Sequence, residues 1–118
     1  MDGKVNLAEK LSRFSDRFAP RTVAEFNGHD VMVTKLEGEF IWHNHEETDD
    51  FFLVLEGRLV IHMRDRDDVV LGPGELYVVA RGVEHKPVAQ EVTHVLLIEP
   101  TGTPNTGDEE TAAPRREL

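Results

Sequence analysis

Two of the chain's six histidines, His43 and His45, stand one residue apart. On an extended strand, residues two apart project to the same face. Two such imidazoles can converge on one cation at about 2.0–2.1 Å. Neutral imidazole suits zinc, iron, nickel or copper. Taken alone, the pair reads equally well as two histidines on an ordinary strand. Cysteine is absent, which excludes disulfides, thiolate metal sites and a cysteine nucleophile.

The elements that must position these groups follow from apolar periodicity. Leu7, Leu11, Phe14 and Phe18 recur at spacings of three or four. That pattern predicts a helix over Val5–Phe18, capped by Asn6 and stopped by Pro20. From Thr22 the period falls to two. Thr22–Phe26 and Asp30–Leu36 flank Asn27-Gly28, a strong hairpin signal. Further short strands are expected at Glu39–His43, Asp50–Glu56, Arg58–Arg64, Val69–Leu71, Glu75–Val79, His85–Val88 and Val92–Glu99. About nine short strands with turn residues between them argue for a sandwich or barrel rather than alternating β and α units. The division is an N-terminal helical segment over 1–20, a barrel over 21–100 and a polar tail over 101–118. The last ten or so residues are expected to be loosely held.

Two blocks carry the chemistry. The first runs from Gly38 through His43, His45 and Asp50 to Gly57; the second runs Gly74, Ala80, Gly82, His85. In spacing and order they resemble the two motifs of the cupin family, over about Thr22 to Glu99. Three departures stand out: Gly38 precedes His43 by one residue fewer than usual, Ala80 replaces a proline, and Ala89 replaces an asparagine. The resemblance implies an all-β fold, a double-stranded β-helix or jelly-roll barrel, with a short N-terminal helix. It also implies one divalent transition-metal ion (Zn, Fe, Mn or Ni) held by His43, His45, Asp50 and His85. Asp50 stands where the family has glutamate. It is one methylene shorter, and so either ligates directly or acts through a water. Asp49 is the weaker fit to the spacing.

Other residues are candidates for roles around the ion. His94 shares a face with Val92, Leu96 and Ile98, which aims it at the lumen as a core histidine or a catalytic proton shuttle. Glu75 is a second acid–base candidate. His62 and His29 read as surface histidines. Phe52 shares parity with Asp50 and is expected to wall the metal pocket, whereas Trp42 turns to the opposite face, into an inter-sheet or dimer core. Arg81 and Lys86 flank His85 and could receive a substrate carboxylate.

The formal charge is −10 over 118 residues. A surface this acidic repels phosphate backbones and anionic lipid, so nucleic-acid and membrane partners are not expected. With no cysteine and no apolar run of signal or spanning length, the expected location is the cytoplasm. Three histidines with a short acid leave positions open on an ion, as in a reactive rather than a structural site. The leading expectation is therefore a metal-dependent enzyme oxidising or isomerising a small polar organic substrate, an acid or a sugar. The alternatives are a non-catalytic module that binds or senses a small ligand at the same metal, and a barrel merely stabilised by the ion. Phe51, Leu53 and Leu55 on an outward face predict a C2 homodimer.

Overall fold

The structure is a computed structural model, and it describes residues 3–118. One short helix precedes seven antiparallel strands: α1 (Leu7–Leu11), β1 (Arg21–Phe26), β2 (His29–Glu39), β3 (Asp50–Glu56), β4 (Leu59–Met63), β5 (Arg66–Leu71), β6 (Leu76–Val79) and β7 (His85–Pro100). The main sheet has the order β1-β2-β7-β3-β6, and β4 pairs with both β5 and β7. Strand β7 is thus the spine. Its first part, His85–Val88, pairs with β4, and its second part, His94–Ile98, pairs with β3. What the periodicity divided into two strands is one 16-residue strand. Among the described residues no helix is long and apolar enough to cross a membrane.

The β1–β2 hairpin turns at Asn27-Gly28, with φ of 50° and 75°. Two left-handed residues in succession make the turn whose twist matches the flanking strands. Strand alternation then sorts the side chains. Inward go Leu36 of β2, Phe52 and Val54 of β3, Leu59 and Ile61 of β4, and Val95 and Leu97 of β7, which form one apolar core. Gly57 lets β3 pass to β4 against β7. Its φ is 94°, and an added Cβ would lie 2.5 Å from Thr93 Oγ1 and 2.9 Å from Thr93 Cα. Only glycine fits there.

The expected helix ends at Leu11, seven residues early. Asn6 does cap it, accepting from the Glu9 amide at 3.0 Å. Beyond it the backbone is taken by β2: the Phe18 amide donates to Lys35 O at 2.9 Å, and Lys35 Nζ donates to Phe14 O at 2.6 Å. Phe14 joins Leu11, Val23 and Val33 in a second cluster outside the barrel, while Phe18 turns into the interior. Tertiary partners thus override a helical period.

The segment after β7 is packed rather than loose. The Thr22 amide donates to Arg116 O at 2.7 Å and the Leu118 amide to Thr22 O at 2.9 Å. These bonds add a short parallel bridge to the free edge of β1. Arg115 reaches the buried Asp30 through Nε at 2.8 Å and Nη2 at 3.1 Å. Composition hid both anchors, because they are a strand edge and a buried charge that only folding creates.

Candidate metal centre

His43 and His45 lie outside the regular strands, in the connection between β2 and β3. The predicted strand Glu39–His43 does not form. One isolated antiparallel bridge fixes them instead: the His43 amide donates to His85 O at 3.0 Å, and the His85 amide to His43 O at 2.9 Å. The Gly82 amide donates to His45 O at 2.8 Å. Both motif blocks are therefore laced together by main-chain bonds, and alternation along this extended piece still sends His43 and His45 inward. Asp50 opens β3 beside them. All four side chains are buried, and each offers a ligand atom within 4.8 Å of the others.

The rings are aimed. His43 Nδ1 donates to Ile41 O and His85 Nδ1 to Val83 O, both at 2.9 Å. With Nδ1–H committed to a carbonyl, the Nε2 lone pair of a neutral ring faces the centre, the form in which histidine ligates. Asp50 Oδ2 stands 2.9 Å from His85 Nε2, 3.3 Å from His45 Nε2 and 3.9 Å from His43 Nε2. A carboxylate and an imidazole lone pair at 2.9 Å need positive charge between them: a proton, or a cation in its place. His45 Nε2 is buried with no hydrogen-bond partner. An orphaned buried nitrogen beside a carboxylate and two oriented imidazoles is a donor set that fits a divalent transition metal.

Electrostatics keep the donors in ligating form. Burial pushes His43 down to about 4; the Ile41 carbonyl and the Asp50 charge oppose this, and the other two imidazoles add to it. His43 is thus neutral near pH 7. Burial alone would raise Asp50, but the adjacent His45 and His85 rings and the nearby Glu99 hold it well below the usual carboxylate range. Glu99, from β7, is the missed member of this group. Burial and the nearby Asp50 charge push it up to about 10. It stays protonated beside the Asp50 carboxylate. Its parity with Val95 and Leu97 was visible in the sequence, but not which way that face turns, and no motif marked it.

A cavity of about 40 Å³ adjoins His43 and Asp50. Phe18, Leu36, Phe40, Phe52 and Leu97 form most of its wall, with Thr34, Glu99 and Asn105 as polar members. Phe52 thus lies where parity put it. A second cavity of about 400 Å³, under the 101–118 segment, shares Pro20, Leu97, Glu99 and Asn105 with the first.

The remaining candidates lie elsewhere. His94 is not in the lumen. Thr93, Val95, Leu97 and Glu99 take the inward positions, so His94 faces out, 3.1 Å from Glu56 and beside α1. The error was one of sign: Val92, Leu96 and Ile98 are apolar because that outer face is partly covered. Glu75 accepts from the Gly72 amide at 2.7 Å in an exposed turn. His62 pairs with Asp68 at the surface. Trp42 is capped by Arg64, whose guanidinium lies 4.0 Å from the ring centre, and by Lys86. Lys86 is committed to Glu39 at 2.6 Å. Asp49 accepts from the Arg81 amide at 3.0 Å, which leaves Asp50 alone at the centre.

Comparison with known proteins agrees with this geometry. The family model for the cupin domain matches residues 30–99. The uncharacterized protein YdbB of Bacillus subtilis (strain 168) is 30% identical over 94 residues, 80% of this chain and 83% of that protein. The crystal structure of a cupin-2 domain containing protein from Shewanella frigidimarina NCIMB 400 superposes with a TM-score of 0.79 at 45% identity. It covers 81% of this chain and 93% of that one. Hydroquinone 1,2-dioxygenase from Sphingomonas sp. TTNP3, solved with 4-nitrophenol, gives a TM-score of 0.75 at 19% identity, over 83% of this chain and 32% of that one; it shares the fold.

Proposed function

This chain belongs to the cupin-domain family, and on that premise we propose that His43, His45, Asp50 and His85 hold one divalent transition-metal ion, Zn, Fe, Mn or Ni, at which a small organic molecule is oxidised or isomerised. The observation that carries the reading is the convergence of three imidazoles and one carboxylate within 4.8 Å, with the buried Nε2 of His45 unpartnered. Bound there, the ion would supply Lewis acidity and open coordination positions. The chain's own residues do the rest. The carbonyls of Ile41 and Val83 fix two ring orientations. Glu99 steadies Asp50, and the phenylalanine walls exclude bulk water, which strengthens every charge interaction inside. Asp50 Oδ2 stands within 2.9–3.9 Å of the three Nε2 atoms, so its shorter side chain would reach an ion held there.

Dioxygen chemistry is one route to such oxidation. A hydroquinone 1,2-dioxygenase of the same fold has been crystallised with Fe3+. A second reading, ligand binding without turnover, is favoured by one feature: neither His94 nor Glu75 lines the cavity, and Glu99 is occupied by Asp50. Metal analysis of untagged protein tests the shared premise, which expects one ion per chain. Oxygen uptake across catechols, diketones and hydroxy acids then separates the two readings. A flat trace with a ligand that still raises the melting temperature selects binding.

We also place the protein in the cytoplasm, where its lack of cysteine is at home, and as a C2 homodimer. Register lines up Val78, Phe51, Ile98 and Val31 across the outer face, with Leu76, Leu53 and Leu96 in the next row. Leu76 and Val78 are about half exposed, at 54% and 41%. A second copy would cover that stripe. Light scattering should give twice 13.4 kDa; a mass of one chain at micromolar concentration rejects the dimer.

A further inference from the structure

Thr34 lies on the inward face of β2 and is 1% exposed, yet its hydroxyl has no hydrogen-bond partner among the described residues. It lines the same cavity as His43 and Asp50, among carbon walls. A valine would fill the same volume without a stranded hydroxyl, and each such group asks for an explanation. The cavity also has no cationic side chain. Lys86 is bound to Glu39, and Arg81 lies beside Asp49, both outside it. Away from the metal ligands, nothing there would neutralise an anionic group.

We propose that Thr34 is a specificity-determining anchor for a compact two-ended ligand: one end meets the cation beside His43 and Asp50, and the other is an uncharged hydroxyl or carbonyl bonded to Thr34 Oγ1. This rests on the metal reading above and narrows it, since it turns the expected substrate away from acids carrying a second, free carboxylate. Size narrows it further. An engineered cavity of about 150 Å³ accepts benzene, and this one is about 40 Å³. A slender acyclic body therefore suits the space between the metal ligands and Thr34 better than a planar ring. A site built to bond a hydroxyl rejects the analogue that lacks it, because its own polar group is then left unpaired.

The test keeps the metal-binding head constant and varies the far end. Zinc-loaded protein is titrated calorimetrically with acetohydroxamate, glycolohydroxamate and the monohydroxamate of malonate, whose tails end in methyl, hydroxyl and carboxylate. Glycolohydroxamate should bind roughly 3- to 10-fold tighter than acetohydroxamate, the worth of one net hydrogen bond, and the carboxylate tail weakest. Thr34→Val should erase the hydroxyl preference while zinc content and acetohydroxamate affinity stay unchanged; Thr34→Ser should retain it. An unchanged preference in Thr34→Val, or a tightest-binding carboxylate tail, overturns the inference. Should Thr34→Val not fold, the wild-type ranking decides, and equal affinity for the methyl and hydroxyl tails overturns it. Zinc content measured beforehand separates the two levels: protein that takes no zinc removes the metal reading, whereas stoichiometric zinc with no hydroxyl preference removes only the role of Thr34.

Discussion

Two aspartates are buried in this barrel to nearly the same degree, and they are treated in opposite ways. Asp30 meets fixed donors on every side: Arg115, Thr101 at 2.9 Å and Thr22 at 3.4 Å. Its countercharge comes with the chain. Asp50 faces three imidazoles whose free nitrogens are aimed at its own oxygen, and a protonated Glu99. Asp50 and the three imidazoles could hold a cation among them. A buried carboxylate is therefore uninformative by itself. The nature of its partners separates a structural clasp from a site that awaits a ligand.

The contrast is broken most directly at the imidazoles. His85→Ala should lower metal affinity by at least about 100-fold, more than the loss of an outer partner costs, as read by competition with a chelator. Next, the isosteric pair Asp50→Asn and Asp30→Asn should part company. The first should weaken metal binding about 10- to 100-fold, and the second should leave metal per chain unchanged while destabilising the fold. Equal metal loss in both variants would erase the distinction. Arg115→Ala strands the Asp30 charge and should lower the urea midpoint, by less than loss of a fully buried pair would because the guanidinium is partly solvated.

Acid sharpens the same point. Arg115, aided by Thr101 and Thr22, holds Asp30 below its ordinary 3.8, against the opposing effect of burial. A carboxylate with a depressed folded pKa contributes stability that is fully present above the unfolded value and lost as pH falls through the folded one. Urea midpoints of wild type should therefore drop below about pH 4 more steeply than those of Asp30→Asn. The smallest effect is expected at His94: His94→Gln should change stability by less than about 0.5 kcal/mol and leave metal content unaltered. Metal loss there would return it to the centre.

Much of this was legible in the chain. Spacing paired His43 with His45, and the resemblance to the two cupin motifs added Asp50 and His85. Asn27-Gly28 announced its hairpin, since few residue pairs accept two positive φ angles in succession. Alternation correctly paired Phe52 with Asp50. Alternation gives parity without sign, however. Which face of β7 is the lumen depends on what packs against the other face, and His94 was assigned to the wrong side for that reason. Phe14 and Phe18 kept a helical period, yet they serve two different cores once Lys35 and β2 have claimed the intervening backbone.

The sequence by itself determined the strand-rich class, the four residues of the cluster and the acidic character of the whole. Those are properties of residue type and near spacing, and they survive in an unfolded chain. Tertiary structure alone decided that Glu99 lies beside Asp50, that Thr34 stands unpartnered in the cavity, and that Arg115 crosses to Asp30 from the far end of the chain. Each of these depends on groups remote in sequence coming within a few ångströms in a dry interior, where the strength of a charge or a hydrogen bond is set by its neighbours.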